Sequence, residues 1–408
     1  MLATVIIQNN YAYFHPLFFY NYKYIRSIMR VAMITSFFLP YIGGIEYAVY
    51  HLSKEVSKLG VEMDVITPFP RESMDDENLN FKVHRLKPSV RLSKGFFCPT
   101  LLPYLLRREY DVYHLHLPFH FGGEITALCS IKKKTPLIVT HHQDWISQNV
   151  VLNGLYKVYD KVFTSWILDK ASLITATTKA RAESSHVLKN YLDKTVVLRF
   201  GVDTDAFYPG CGGTELKREM KLEDKKIVLF VGKLDKQHRY KGLDYLIEAF
   251  QGVIRDVKNA ALVVVGSGEL LPFYRKIVQK KRLDNNVIFA GGASNEELSR
   301  FYDMCDVFVL PSLNESYGIV LVEAMACGKP VISTNLPGPA EVVQRGECGA
   351  LVEPKNVEDL RRKILRILED STYSNKIGRR NAEYVRREFK WDRIAGNLKS
   401  LYGKVVGY

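Results

Sequence analysis

Two carboxylates eight positions apart, Glu315 and Glu323, stand in a setting that could handle a phosphorylated ligand. The strand-like run Val307 to Leu310 gives way to Asn314-Glu315-Ser316-Tyr317-Gly318, then to the helical run Ile319-Val320-Leu321-Val322-Glu323-Ala324-Met325-Ala326. Ser316 fits the N-cap of a helix beginning at about Tyr317. The first amides, near Gly318, Ile319 and Val320, would then offer unpaired N–H groups and the positive end of the helix dipole, which suit a diphosphate. Glu323, on the second turn, stands far enough along to accept hydrogen bonds from a ribose. Taken alone, two acidic residues near a helix start are equally what merely complements the dipole.

Other clusters could share in that chemistry. Lys233 and Lys241 follow the strand-like Ile227 to Val231, and two cations there could clamp a leaving diphosphate as its charge grows. Gly43 and Gly44 follow Pro40-Tyr41-Ile42 and open a helix, where paired glycines allow close backbone approach to a phosphate or sugar, or simply make a tight turn. His141 and His142 end a strand in Thr140-His141-His142-Gln143-Asp144; strand neighbours face opposite ways, so they do not share a metal. His114 and His116 do share a strand face, but no third ligand stands at zinc-site spacing. Gly291, in Phe289-Ala290-Gly291-Gly292, could present backbone to a nucleotide base, and Val265-Gly266-Ser267-Gly268 could line the same ligand. Neither belongs to a full GxGxxG with an acidic partner, which disfavours a nicotinamide dehydrogenase.

The elements that must hold these residues alternate short β-branched runs with longer amphipathic segments, the pattern of βαβ units. Strands are expected at Val31 to Ser36, Met63 to Thr67, Phe81 to Leu86, Val112 to His116, Leu137 to Thr140, Leu173 to Ala176 and Val196 to Leu198. The pattern restarts at Ile227 to Val231 and continues through Leu262 to Val265, Val287 to Phe289, Val307 to Leu310, Val331 to Ser333 and Ala350 to Val352. Helices are expected over Ile45 to Leu59 and Gly154 to Asp169. The fold class is therefore α/β, with two doubly wound domains in series, joined at the glycine- and proline-rich Phe200 to Gly213 and facing each other across a cleft. The expected divisions are an extension over 1–28 with a true start at Met29, a first domain over 29–205, a second over 206–380 and a final helical stretch over 381–408.

With 408 residues, 47% hydrophobic and 25% charged, the chain reads as globular and not disordered or fibrous. A formal charge of +13 favours anionic partners. Six cysteines without CxxC spacing read as reduced thiols in a cytoplasmic chain. Between Asn78 and Arg108 there are seven Lys or Arg and no acid, interleaved with Phe96 and Phe97. Residues 82–108 thus suit peripheral contact with an anionic membrane, or else form a solvated basic loop with its phenylalanines tucked inward. No recognisable nucleic-acid module accompanies them, so nucleic acid is not an expected partner.

The Glu315 to Glu323 segment resembles the Glu, seven residues, Glu signature of the retaining family-four glycosyltransferases. The resemblance extends into Glu323-Ala324-Met325-Ala326-Cys327-Gly328-Lys329-Pro330-Val331-Ile332 and covers Met29 to about Gly403, with the other motifs in the family's order. It implies the GT-B architecture, with a C-terminal helix returning to the first domain and Trp391 as its anchor. It implies a nucleoside diphosphate sugar, UDP- or GDP-linked, as donor substrate, with no separate cofactor. Glu323 would then hold the ribose, and Lys233, Lys241 and the helix amides of Ser316 to Val320 the diphosphate. Glu315 and His142 would position the sugar, His142 near its 6-hydroxyl, while Gly43 and Gly44 face the donor phosphates and the acceptor. Lys233 departs from the family pattern, which has Arg there; Lys offers a point charge without the bidentate fork. Asp203-Thr204-Asp205 looks like a metal-holding DxD but falls in the family's interdomain connection and has an Asx-turn explanation, so transfer is expected to be metal-independent. In the front-face mechanism proposed for such enzymes the leaving phosphate takes the acceptor proton. The expected reaction is retaining hexosyl transfer to an acceptor, a lipid-linked saccharide at the cytosolic membrane face being preferred on the basic segment alone. The alternatives are a nucleotide-sugar epimerase of the same fold and a catalytically idle sugar-nucleotide-binding subunit.

Overall fold

The computed structural model describes residues 28–41, 43–68, 76, 78–92, 95–144 and 150–407. Residues 1–27 of the expected extension lie outside them. In chain order the first half supplies β1 (Arg30–Ile34), β2 (Glu62–Thr67), β3 (Lys82–Arg85), β4 (Val90–Leu92), β5 (Gly95–Phe97), β6 (Val112–Leu117), β7 (Leu137–His141), β8 (Leu173–Ala176) and β9 (Thr195–Val197). The second half supplies β10 (Lys226–Val231), β11 (Ala260–Val265), β12 (Val287–Gly291), β13 (Val307–Leu310), β14 (Val331–Thr334) and β15 (Gly349–Val352).

Two parallel sheets result, one of seven strands in the order β3-β2-β1-β6-β7-β8-β9 and one of six in the order β12-β11-β10-β13-β14-β15. β4 and β5 pair antiparallel as a hairpin that the sequence pattern had not suggested. Central strands such as Ala260–Val265 are buried throughout, as a sheet covered on both faces requires. Strand order reverses at β1/β6 and at β10/β13, and the crevice at such a switch point is where ligands meet open α/β sheets. Apart from Gly291, the candidate residues follow β1, β10 and β13 at those points and β7, one strand beyond β6.

The helix expected over Gly154 to Asp169 begins earlier, as Val150–Tyr159, and continues through a π turn, Asp160–Thr164, into Ser165–Lys170. Helix Ser371–Glu388 packs on Ile319–Ala326 in the second domain and runs through the expected division at 380/381. The chain crosses back at Phe389, whose carbonyl accepts from Val202 N at 2.8 Å. Helix Trp391–Val406 then lies along helix Gly44–Lys58 of the first domain. There the Trp391 indole stacks on His51, centroids 5.1 Å apart and planes 5° apart, and the Tyr402 hydroxyl meets His114 Nδ1 at 2.7 Å.

Two further contacts join the domains. The Tyr317 hydroxyl donates to Phe200 O at 2.8 Å, and Glu341 accepts from Lys179 N at 3.2 Å and Ala180 N at 2.7 Å. No helix among the described residues is long and apolar enough to cross a membrane.

Candidate active site

The loop after β13 turns into its helix at Gly318 and not at Ser316. Gly318 is the N-cap, with a left-handed φ of 83°, and the helix runs Ile319–Ala326. The expected Ser316 cap is thus corrected: a left-handed residue makes the entry turn, and a Cβ on Gly318 would approach Leu321 Cδ1 to 2.8 Å. Leu321 N closes the first turn on Gly318 O at 2.9 Å, so the amides of Ile319 and Val320 precede any carbonyl of their own helix. Tyr317 is buried, with its hydroxyl on Phe200 O, so its side chain ties the domains together and only its backbone borders the loop.

Glu315 Oε2 stands 3.3 Å from Lys241 Nζ, both side chains largely sheltered. Burial opposes the charge on Lys241, but Glu315, with Tyr240 and Glu323, outweighs it and holds the ammonium above its ordinary range. Glu323 is buried on the helix's second turn and accepts the Tyr302 hydroxyl at 2.8 Å through Oε2. Burial pushes its carboxyl up to about 7, against the opposing effects of Tyr302 and Lys241. Glu315, Lys241 and Glu323 therefore form one electrostatic cluster beside the helix start.

Lys233, just past β10, reaches towards the first domain. Its Nζ lies 4.7 Å from the centroid of the Tyr41 ring, a cation–π contact across the cleft. Gly43 caps helix Gly44–Lys58 in an extended conformation that any residue adopts, and a Cβ there would press on the Glu46 carboxylate, which would have to shift. Gly44 has open space where a Cβ would stand. Glu46 is buried, and burial pushes its carboxyl up to about 7, opposed by its own backbone amide and by Lys233. The one signal of Glu46 in the sequence is a carboxylate in the first turn of the helix that the paired glycines open.

His142 continues β7 into the cleft wall. Its Nε2 shares a hydrogen bond with His116 Nδ1 at 2.9 Å, and its ring lies 5.4 Å from Phe200, which in turn meets Tyr317 edge-on at 5.2 Å. Its Nδ1 is buried and has no partner among the described residues. Burial, with His141 and His114 nearby, pushes the ring down to about 3, so it is neutral and usable as a hydrogen-bond donor or acceptor. His116 turns its other nitrogen to Met33 Sδ at 2.7 Å, and His114 bonds Thr140 Oγ1 at 2.7 Å, so the strand-face pair serves packing. His141 faces the other way, its Nε2 3.7 Å from Asp144 Oδ1, and Asp144 is held by Arg181 at 3.0 Å.

The loop of Glu315 to Val320 thus meets Lys241 directly, Glu323 through the charge of Lys241 and His142 through Tyr317 and Phe200, while Lys233 meets the Gly43 helix through Tyr41 and Glu46. Gly291 stands apart from these contacts, at the end of β12, three strands from β13, with its carbonyl accepting from Gly266 N at 2.6 Å. Asp203 Oδ1 accepts from Asp205 N at 3.0 Å and Ala206 N at 3.3 Å, the Asx turn expected of the DxD. In the basic stretch, Lys82 pairs with Glu62 at 3.0 Å, Arg85 Nε with Asp76 at 2.8 Å, and Phe96 is buried.

Comparison with known proteins completes the picture. Residues 42–206 match the Glycosyltransferase Family 4 model, and residues 214–384 match Glycosyl transferases group 1. The chain is 32% identical over 388 residues to a GDP-mannose-dependent alpha-(1-6)-phosphatidylinositol monomannoside mannosyltransferase of Mycobacterium tuberculosis, covering 90% of this chain and 97% of that one. It is 30% identical over 352 residues to a D-rhamnosyltransferase of Pseudomonas aeruginosa, covering 84% and 87%. Among solved structures, sucrose-phosphate synthase from Thermosynechococcus elongatus superposes with a TM-score of 0.73 at 22% identity, over 92% of this chain and 99% of that one. Anabaena HepE in complex with UDP and glucose does so with a TM-score of 0.71 at 18% identity, over 92% and 100%. Two parallel-sheet domains, a cleft of this composition and matches along nearly the whole chain lead to one assignment: the chain belongs to the family-four, group 1 glycosyltransferases of GT-B fold.

Proposed function

We propose that this glycosyltransferase moves a hexose from a nucleoside diphosphate sugar to a lipid-linked acceptor with retention of anomeric configuration. The observation that carries the reading is the cluster at the carboxyl end of β13: an open helix start at Gly318, the Glu315–Lys241 pair and the buried Glu323. Glu323 accepts the ribose hydroxyls, and Lys241, Lys233 and the amides of Ile319 and Val320 hold the diphosphate. His142 offers its unpartnered Nδ1 to the sugar, which Glu315 helps to orient. The bond from the anomeric carbon to the diphosphate oxygen breaks, the acceptor oxygen bonds that carbon on the same face, and the acceptor proton passes to the leaving phosphate.

Cations and helix amides supply the positive charge that the diphosphate needs, and the Asp203 carboxylate is engaged by Asp205 N and Ala206 N in its Asx turn, which supports transfer without a divalent metal. The 32% identity to a GDP-mannose-dependent enzyme makes GDP-mannose the first donor to test, and that relative's phosphatidylinositol monomannoside acceptor supports a lipid acceptor here.

Calorimetry with UDP- and GDP-sugars, with and without magnesium, tests the reading on wild type and Glu323→Ala. Saturable binding of one nucleotide sugar without metal, weakened at least tenfold by the substitution, is the expected result. A folded protein that binds none of them would overturn the reading; binding without sugar transfer to any acceptor would favour an idle subunit, and inversion at the sugar's C2 without acceptor would identify an epimerase.

A further inference from the structure

Away from the cleft, the first domain exposes apolar side chains in a pattern that water does not favour. On the segment Val150–Thr164, Leu155 is 59% exposed, Val158 61% and Val162 53%, with Phe163 beside them. Positions 155, 158 and 162 are spaced as one helix face. Lys157 and Lys161 are exposed on the same segment, and its single acidic residue, Asp160, is buried against Thr164 and His186. The outward face therefore combines apolar groups with cations and carries no carboxylate. The adjoining helix Gly122–Lys133, tied to it by the Tyr159 hydroxyl donating to Glu124, exposes Leu128 and Ile131 and ends in exposed Lys132 and Lys134.

Scattered exposed hydrophobics are ordinary, but a spaced set on one helix with a neighbouring helix of like character marks an interaction surface. We propose that this face inserts into the interfacial region of an anionic lipid bilayer. Charge complementarity selects that occupant: a second copy docked on the same patch by a two-fold axis would set these lysines against their own counterparts, whereas anionic headgroups pair with them. The basic stretch 82–108 suits the role less, because Lys82 and Arg85 have carboxylate partners and Phe96 is buried. The inference rests on the reading above for its lipid acceptor and on its own observations for the surface.

Flotation of the full chain with vesicles of phosphatidylcholine alone, or mixed with phosphatidylglycerol, tests it. Binding to the anionic vesicles, weakened by salt, is expected, and Leu155→Glu with Val158→Glu should lower it about tenfold or more. Lys157→Glu with Lys161→Glu should lower binding to anionic vesicles and reduce its salt dependence, and all variants should bind nucleotide sugar as wild type does. Wild type that ignores both vesicle types overturns the proposal, as does a Leu155/Val158 variant that binds like wild type. A wild-type dimer that this variant converts to monomer, without vesicle binding, overturns it in favour of a copy-to-copy interface. Vesicle binding without any donor binding would leave the surface standing and remove the transferase reading instead.

Discussion

Lys241 Nζ and Glu315 Oε2 lie 3.3 Å apart at the mouth of the β13 loop, so the cation proposed for the diphosphate already has an anion. An incoming diphosphate must compete with Glu315 for it. Glu315→Gln should therefore bind free UDP or GDP several-fold more tightly, by about 0.5–1 kcal/mol, while sugar transfer slows. Lys241→Met removes the shared cation and should weaken the same nucleotide by roughly tenfold to a hundredfold. Calorimetry on the two variants checks this; equal affinities in Glu315→Gln and wild type would mean that Glu315 does not compete.

Glu323 makes stability depend on pH with a definite sign. Its folded carboxyl titrates at about 7 and an ordinary glutamate near 4.5, so between these values the folded state holds a proton that the unfolded chain has released. Its contribution is present at low pH and is lost as pH rises towards 7, a loss of about 3 kcal/mol when complete. Glu323→Gln keeps an acceptor for the Tyr302 hydroxyl and does not ionise. Urea unfolding should find the variant close to wild type below pH 4.5 and more stable at pH 8, and a constant difference across that range would refute the assignment.

Much of this arrangement was legible in the chain. Buried parallel strands are near-continuous apolar runs, so β10, β11 and β13 announce themselves, and the residues after them mark the cleft. The Asx turn at Asp203 follows from local chemistry and was equally readable. Local pattern failed where tertiary space decides. Ser316 has the better capping chemistry, yet Gly318 takes the cap because the turn needs a left-handed residue. Glu46 matters only because Lys233 comes from the other domain to face it, and no spacing within one segment encodes that. Tyr317 looks like a ligand contact in the motif, but its hydroxyl finds a carbonyl more than a hundred residues away.

The Tyr317 bond makes a prediction about closure. Tyr317→Phe leaves the Phe200 carbonyl without its buried donor, which should cost about 1–3 kcal/mol. Glu341→Ala removes the acceptor for two first-domain amides. The double variant should show a larger radius of gyration than wild type by small-angle X-ray scattering without nucleotide and recover on donor binding. An unchanged radius would show that the remaining contacts suffice to hold the domains.

The returning helix supplies a test of coupling. A Cβ on Gly201 would lie 2.6 Å from Trp391 Cδ2 and 2.9 Å from Phe389 O, so Gly201→Ala presses on both the indole and the crossover backbone. It should destabilise wild type by about 1–3 kcal/mol. Trp391→Leu empties the space stacked on His51 and should cost about 2–4 kcal/mol alone. In the Trp391→Leu background the alanine meets only the carbonyl, so its added cost should shrink by at least about 0.5 kcal/mol. Additive losses in thermal unfolding would mean that the backbone contact, and not the indole, sets the limit at Gly201.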